Sequence, residues 1–310
     1  MNADLPAQVG CPVCGSRVAM VSYFRNGADR VRKCRACSAA FVYPRLGGEQ
    51  LLSQYSPSYF QEKYEALRQS GYVSEDSFQK KVGLCLERVG KLRAGPPGLL
   101  LDMGCGQGRF LEAAQQRGWQ VQGLELCPQV ARQTAERLRV QVYSGSLFEV
   151  SLPAESFDLV TMFDVIEHLE QPPQALRICH RILKPGGVLA IGTPNLRGIG
   201  VRLLGARAFG VWPDEHIVYF GPAAMRRALG SARFAGSKII SREIYPENAS
   251  AMISRVTGRS KHRAEVGEKV RPLKQLFRHN PLFKALRSTL NGFFTAVPLG
   301  DELLAFTVKP

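Results

Sequence analysis

The sequence predicts an α/β protein built on a doubly wound, mostly parallel sheet. Between Leu99 and Gly192, short apolar segments typical of strands alternate with longer segments of helical periodicity. A glycine-rich turn joins the first of these strands to the helix that follows it. Two C-x-x-C motifs near the N-terminus indicate a small metal-binding unit beside the main domain.

Each predicted element follows from a local pattern. Leu99 to Met103 is a nearly continuous apolar run, as expected of a buried strand. Further strands are predicted at Trp119 to Leu124, Val140 to Tyr143, Phe157 to Phe163, Val188 to Gly192, Ser237 to Ile244 and Leu303 to Lys309. Helical periodicity predicts helices at Glu75 to Leu92, Phe110 to Arg117, Pro128 to Leu138 and Pro173 to Leu183.

The length of 310 residues suits about two domains. We divide the chain into a metal-binding unit (1–46), a helical lid or linker (47–95), the α/β core (96–245), a basic amphipathic helical insert (246–300) and the last core strand (301–310).

The glycine-rich turn contains Gly104, Gly106 and Gly108. Glycine permits a tight turn and lets the backbone approach a ligand at the N-terminus of the next helix. A dinucleotide fingerprint requires glycine at position 109, where Arg109 stands. Asp102 precedes the turn, and Glu125 ends the next strand, where an acid can accept hydrogen bonds from both ribose hydroxyls. The pattern predicts a nucleoside site and disfavours a nicotinamide oxidoreductase.

Four sequence blocks occur in order: LLLDMGCGQGRFL, VQGLEL, FDLVTMFDVIEHL and ILKPGGVLAIGTPN. This series resembles the ordered motifs of class I S-adenosylmethionine (SAM) methyltransferases, over about Tyr55 to Phe234. It is most similar to the branch with ubiquinone-biosynthesis O-methyltransferases and zinc-ribbon methyltransferases of glycan and natural-product pathways. The resemblance implies a Rossmann-like sheet of seven strands, with SAM as the methyl donor.

The resemblance also implies roles for individual residues. Asp102, Gly104 and Gly106 would line the methionine half of the cofactor, and Glu125 would bind the ribose. Further cofactor contacts are expected from Cys105, Gly108, Leu126, Ser146, Leu147 and Phe163. The family usually has an acid near the adenine, where this chain has the uncharged Ser146. The resemblance also implies a lid over the cofactor, formed by Tyr55, Tyr59 and Phe60. The alternative is that these residues belong to an N-terminal helix that simply packs on the domain.

Methyl transfer to a hydroxyl needs a base, and histidine suits this role because it titrates near neutral pH. The candidates are His168 in FDVIEHL and His216 in VWPDEHIVYF, with Asp164 bordering cofactor and acceptor. Structural roles stay open, since His168 could cap a turn and His216 could pack beside Tyr219. Asp164, Glu167 and a histidine also permit a divalent cation, which we do not expect here.

The cysteine motifs, separated by nineteen residues, consist of Cys11, Cys14, Cys34 and Cys37. Four thiolates at this spacing predict a tetrahedral, structural zinc site, and four unliganded cysteines are the alternative. A unit this small has no core of its own, so a metal would hold it folded.

The formal net charge of +15 is concentrated in one segment, because ten lysines and arginines between Arg255 and Arg287 face only two glutamates. Residues 255–297 could contact an anionic membrane, cover a lipophilic acceptor, bind RNA phosphates or pack on their own domain. The N-terminus lacks the pattern of a secretory signal, and no apolar run of about eighteen residues occurs. We therefore expect a cytoplasmic chain, which the basic insert could bring to a membrane surface.

These observations favour a methyltransferase acting on a small-molecule or lipid- or glycan-linked acceptor, at oxygen. An RNA methyltransferase is the first alternative, since zinc ribbons and basic surfaces occur in such enzymes, although no N-P-P-Y-like string follows the fourth strand. A cofactor-binding scaffold without turnover is the second alternative.

Overall fold

The computed structural model describes residues 10–17, 21–24, 30–44, 75–245, 247–249, 251–252 and 299–310. Its strands are β1 (Val21–Ser22), β2 (Val31–Lys33), β3 (Ala40–Val42), β4 (Leu99–Met103), β5 (Gln120–Glu125), β6 (Val142–Ser144), β7 (Phe157–Phe163), β8 (Leu183–Pro194), β9 (Val218–Tyr219), β10 (Ala235–Arg242) and β11 (Glu302–Val308). Its α-helices are α1 (Glu75–Leu92), α2 (Arg109–Gln115), α3 (Pro128–Leu138), α4 (Pro172–Ile182), α5 (Ile199–Leu204) and α6 (Pro222–Ser231).

Seven strands form the large sheet in the order β10-β11-β8-β7-β4-β5-β6. Neighbouring strands from β8 to β6 are parallel, whereas β11 runs antiparallel to both β8 and β10. The predicted α/β class and seven-stranded sheet are therefore confirmed. The predicted elements are present with shifted ends, and β8 differs most, because its pairing extends from Leu183 opposite Phe157 to Pro194 opposite Glu302.

The strand order reverses at β4. The chain first adds β5 and β6 on one side of β4 and then places β7 on the other side. Ligands of such sheets bind beyond the carboxyl ends of the strands at this reversal. The loops after β4, β5 and β7 therefore lie where a nucleoside site is expected.

Apolar side chains cover both faces of the large sheet. One buried cluster contains Leu101, Met103 and Phe157 together with residues of α4 and α6. The opposite cluster contains Leu100, Leu159 and Phe306 together with residues of α1 and α2. Burying large side chains on both faces fixes the strand ends, and with them the loops that form the site.

A second, four-stranded antiparallel sheet has the order β1-β2-β3-β9. Three of its strands come from the cysteine-rich segment, and β9 comes from the segment that follows His216. Val13 and Phe41 are buried in the same apolar cluster as the large sheet. The cysteine-rich unit thus shares a sheet and a core with the α/β domain, and its boundary at residue 46 stays a prediction.

Two groups of predictions lie outside the described residues. These are the aromatic residues Tyr55, Tyr59 and Phe60 and nearly all of the basic insert at 246–300. Within the described ranges, no helix has the length and apolar character needed to cross a bilayer.

Candidate functional site

The loop after β4 is held by backbone bonds to β5. The amides of Gly104 and Cys105 both donate to the carbonyl of Leu124, at 2.8 and 3.0 Å. Gly104 has φ +68°, and a Cβ built there would lie 2.6 Å from Val165 Cγ2. Glycine is therefore required at 104 both by the left-handed backbone and by the closeness of the turn that follows β7.

Glu125 is buried at the end of β5, with 3% of its surface exposed. Its two oxygens accept hydrogen bonds from the amides of Gly106 and Cys127, both at 2.9 Å. Burial raises the pKa of this carboxyl, while the backbone N–H donors favour its ionised form. Each carboxylate oxygen retains a second lone pair, so the residue can still accept from two hydroxyls. These free acceptor sites fit the predicted ribose contact.

Asp102 lies beside this loop on β4 and is also buried. Its Oδ1 accepts a 2.6 Å hydrogen bond from the Thr161 hydroxyl, and burial raises its pKa to about 7. Thr134 of α3 donates to the carbonyl of Gly106 at 2.9 Å, which fixes the middle of the loop. Asp102 and Gly106 are thus each held by a hydrogen bond, and their contact with the methionine half of the cofactor stays a prediction.

The remaining predicted cofactor residues surround the same strand ends. Leu126 follows β5, and Gly108 begins α2 with φ +71°. Cys105 and Leu147 are buried, at 7% and 8% exposure, and Ser146 Oγ accepts from the amide of Phe148 at 3.2 Å. The Ser146 hydroxyl therefore caps its own turn. A contact between any of these residues and the cofactor stays a prediction.

Lys81 of α1 is a site residue that the sequence analysis missed. Its Nζ lies 2.6 Å from Glu302, 3.5 Å from Asp164 and 4.7 Å above the ring of Phe163. Burial disfavours the charged amine, but the two carboxylates outweigh this effect and raise the pKa of Lys81. The available signal was its position on the apolar stripe of α1, between Phe78 and Cys85.

Replacing Lys81 with Met is expected to lower the free energy of unfolding by about 2 kcal/mol. Removing one partner of a buried ion pair costs roughly 3–5 kcal/mol, but Arg242 still faces Glu302 at 3.3 Å. Lys80→Met is the matched control, because the Lys80 pair with Asp76 is exposed and worth at most about 0.5 kcal/mol. Chemical denaturation measures both variants, and equal losses would contradict the assignment.

The two candidate histidines lie together beyond β7. Their ring centroids are 4.8 Å apart in an edge-to-face arrangement. The Nδ1 atoms of His168 and His216 lie 2.9 Å from the carbonyl oxygens of Glu215 and Gly210. Because a carbonyl oxygen only accepts, each Nδ1 carries the proton, and a neutral ring then presents Nε2 as its basic atom.

Glu167 lies beside this histidine pair and is 1% exposed. Its Oε2 accepts from the Thr193 hydroxyl at 3.0 Å, and its Oε1 has no hydrogen-bond partner among the described residues. Burial raises the pKa of Glu167 to about 8. One ligand atom each from Glu167, His168 and His216 lie within 4.8 Å of one another, and this group does not include Asp164. Our expectation that no divalent cation binds here stays untested.

Asp164 has a left-handed backbone, with φ +56°, directly after β7. Its side chain is 60% exposed and reaches Lys81. Phe163 packs against Phe110 at a centroid distance of 5.0 Å. These two residues therefore lie at the end of β7 and just beyond it, and the border between cofactor and acceptor that the resemblance implies for them stays a prediction.

The four N-terminal cysteines converge. Their Sγ atoms all lie within 4.8 Å of one another, with Cys11–Cys37 and Cys14–Cys34 separations of 3.6 and 3.7 Å. A tetrahedron with Zn–S bonds of about 2.3 Å requires S–S separations of roughly 3.8 Å. The amides of Gly15 and Ser38 close equivalent turns onto the carbonyls of Cys11 and Cys34. The cluster fits a zinc ion.

The cysteine-rich unit is connected to the histidine pair through Ile217. The amide of Ile217 donates to the carbonyl of Glu167, and its own carbonyl accepts from the amide of Val42, both at 2.9 Å. Strand β3 then pairs with β9, which starts at Val218. The segment that carries His216 is therefore held between the cysteine-rich unit and the turn that contains Glu167.

A profile of the family described as "Methyltransferase domain" matches residues 101–191. A ubiquinone biosynthesis O-methyltransferase of Idiomarina loihiensis is 31% identical over 171 residues, which cover 52% of this chain and 68% of that protein. The chain belongs to the SAM-dependent methyltransferase family. The profile of this methyltransferase domain includes β4 from Leu101 onward, the glycine loop, Glu125 and the FDVIEHL segment.

Other relatives of the methyltransferase domain match shorter portions. A "Probable S-adenosylmethionine-dependent methyltransferase" of Mycolicibacterium smegmatis is 34% identical over 126 residues, covering 40% of this chain and 48% of that protein. A ubiquinone biosynthesis O-methyltransferase of Pseudomonas paraeruginosa is 32% identical over 143 residues, covering 43% and 61%. The chain thus spans about half to three-fifths of the length of these two relatives.

Among solved structures, phosphoethanolamine N-methyltransferase 2 of Haemonchus contortus, determined with SAM, has the same fold. The TM-score is 0.54 at 16% identity, with 87% of this chain and 62% of that chain covered. At this identity the likeness concerns the methyltransferase fold alone.

Proposed function

We propose that this protein transfers a methyl group from SAM to an oxygen atom of a small-molecule or lipid- or glycan-linked acceptor. The observation that carries the proposal is Glu125, a buried carboxylate bonded to the glycine loop at the switch point of the sheet. SAM supplies the reactive methyl group, while the protein aligns the acceptor and removes its proton. Oxygen is favoured because two imidazoles lie beyond β7 and because several relatives are named O-methyltransferases.

Each group of residues has a distinct task in this proposal. Asp102, the glycine loop and Glu125 bind the cofactor, and Phe163 and Asp164 separate it from the acceptor. His168 or His216 accepts the acceptor proton at Nε2. Proton transfer converts this histidine to an imidazolium. The carboxylate form of Glu167 stabilises that positive charge. The cysteine cluster holds a structural zinc, which takes no part in the transfer because thiolates occupy all four ligand positions.

Glu125→Gln is expected to weaken SAM binding about 10- to 100-fold, because hydrogen bonds to a charged acceptor contribute roughly 1.5–3 kcal/mol. Isothermal titration calorimetry with SAM and S-adenosylhomocysteine measures the change. Glu136→Gln is the matched control, since this exposed glutamate of α3 lies outside the site. Unchanged affinity in a folded Glu125→Gln chain would refute the ribose assignment, and a wild-type chain that binds neither nucleoside would refute the function.

The acceptor class is tested by transferring label from methyl-labelled SAM to lipid extracts, glycan precursor fractions and total RNA. Label in the lipid or glycan fractions supports the proposal. Label confined to RNA would replace it with the RNA alternative, and cofactor binding without any labelled product would favour the scaffold.

A further inference from the structure

A groove of about 840 Å³ separates the first cysteine turn from helices α4 and α6. One wall is the segment from Cys11 to Gly15, and the opposite wall is formed by the two helices. Its volume falls in the range of roughly 300–1,000 Å³ that is usual for small-ligand sites. The cofactor residues Asp102 and Glu125 do not line it, so it is separate from the nucleoside site.

Three guanidinium groups, those of Arg177, Arg226 and Arg227, line the groove. Among the described lining residues Glu170 is the one carboxylate, and Cys11 and Cys14 of the cysteine cluster lie on the facing wall. All three arginines are exposed, and within the part of the chain that the structure describes their guanidinium groups have no hydrogen bond or ion pair. By contrast, Arg93 pairs with Asp158. Guanidinium groups that have no bonded carboxylate can donate to anions in a concave surface, and their planar geometry matches phosphate oxygens.

The groove begins close to the acceptor side of the site. Gln171, which lines the groove, follows His168 by three residues and directly precedes α4. Arg177 lies six residues further along the chain, about 9 Å at a helical rise of 1.5 Å per residue. Helix α6 also begins near this edge, because it follows Phe220, whose carbonyl accepts from the amide of Leu196 just beyond β8. An extended acceptor could therefore span both places.

We infer that this groove binds a diphosphate group of the acceptor, while the atom to be methylated lies near His168. This inference rests on the proposed function. The oxygens of two linked phosphates can accept hydrogen bonds from the three guanidinium groups, and Gln174 and Ser231 provide further polar groups in the lining. The volume also accommodates part of a group attached to the diphosphate. Sugar nucleotides and lipid-linked sugars share this chemistry, so the acceptor class is a diphosphate-bearing compound.

The test uses the full-length, zinc-loaded chain saturated with S-adenosylhomocysteine. Calorimetry measures its binding to inorganic pyrophosphate and to uridine diphosphate at low ionic strength. We expect both to bind at one competing site, about 10-fold more weakly in Arg177→Gln and in Arg226→Gln. Arg132→Gln is the matched control, because Arg132 is exposed on α3 and does not line the groove. It should bind both probes as the wild type does.

Three outcomes would overturn the inference: neither probe binds, all three variants weaken binding equally, or pyrophosphate fails to displace uridine diphosphate. If neither probe binds but a single-stranded RNA oligonucleotide does, and Arg177→Gln and Arg226→Gln weaken this binding while Arg132→Gln does not, the groove is assigned to nucleic acid. The same pattern with vesicles of phosphatidylcholine and phosphatidylglycerol would assign it to a membrane surface. Once both probes are shown to compete for the site, their affinities distinguish the two acceptor classes. Tighter binding of uridine diphosphate than of pyrophosphate favours sugar nucleotides, and equal affinities favour lipid-linked acceptors.

Binding of S-adenosylhomocysteine is measured in the same samples. A wild-type chain that does not bind S-adenosylhomocysteine would refute the proposed function. A wild-type chain that binds S-adenosylhomocysteine but not pyrophosphate would refute only the inference about the groove.

Discussion

Removing the metal from the cysteine cluster should disturb the histidine pair while leaving SAM binding intact. The segment after His216 forms β9, the fourth strand of the cysteine-rich sheet. Ile217, the residue between His216 and β9, has backbone hydrogen bonds to both Val42 and Glu167. The glycine loop has different supports, namely Leu124, Glu125 and Thr134. Loss of the metal should therefore act on the acceptor side and spare the cofactor side.

The expected effect is large. Structural zinc contributes roughly 10–16 kcal/mol to the folding of isolated zinc-finger peptides near neutral pH. The metal-free unit should keep part of its folding free energy here, because Phe41 and Val13 are buried in the core of the α/β domain. We expect Cys34→Ser to abolish binding of one zinc per chain and to remove the hydrogen-exchange protection of Val42, Ile217 and Val218. The central strand residue Val160 should keep its protection.

Metal analysis and hydrogen exchange followed by mass spectrometry check this prediction, together with SAM affinity. Cys179→Ser is the control, since it makes the same substitution at a buried cysteine of α4 outside the cluster. It should retain one zinc per chain and full protection of β9. A wild-type chain that is folded but contains no zinc would contradict the prediction. So would unaltered protection of Ile217 in metal-free Cys34→Ser.

Local patterns were sufficient to predict the strand–loop–strand geometry around the glycine loop, while the cofactor contacts of its residues stay a prediction. The glycine loop, Asp102 and Glu125 lie within one strand–turn–helix–strand unit, and each position is fixed by a constraint that leaves a trace in the sequence. Gly104 needs a left-handed backbone, and Glu125 ends the strand next to β4. The cysteine cluster was predictable for a related reason, because C-x-x-C spacing is set by the ligand geometry itself.

The acceptor side depends on contacts that are distant in sequence. Lys81 is paired with Glu302 from the last strand, and Glu167 meets His216 only after the chain has passed through β8 and α5. Strand β9 has two residues, too few to show a period, and its pairing with β3 arises from the docking of the cysteine-rich unit. Hydrophobic periodicity shows which face of a single helix or strand is buried. It does not show which distant residue that face will contact, so these pairings could not be predicted from the local sequence.

Replacing His168 with Asn should lower kcat by about 10²- to 10⁴-fold, the usual contribution of a general base. The Asn amide can still donate toward the carbonyl of Glu215, so the turn should persist while the basic nitrogen is lost. SAM affinity should stay within about twofold, because the described hydrogen bond and ring contact of His168 go to Glu215 and His216 and not to the glycine loop or Glu125. The kinetics are measured with the labelled acceptor fraction, and kcat is recorded as a function of pH.

Comparison with His216→Asn identifies the base. His216 is buried, bonded to Gly210 and placed beside Trp212, so a structural role predicts a loss of stability with an unchanged pH profile. The base is the histidine whose replacement removes the acidic limb of the kcat profile, since protonation of its imidazole is what inactivates the wild type. His180→Asn on α4 is the control, because that ring packs on Phe234, away from the pair. Wild-type kcat in both His168→Asn and His216→Asn would show that neither imidazole takes the proton, and oxygen would then lose its main support as the methylated atom.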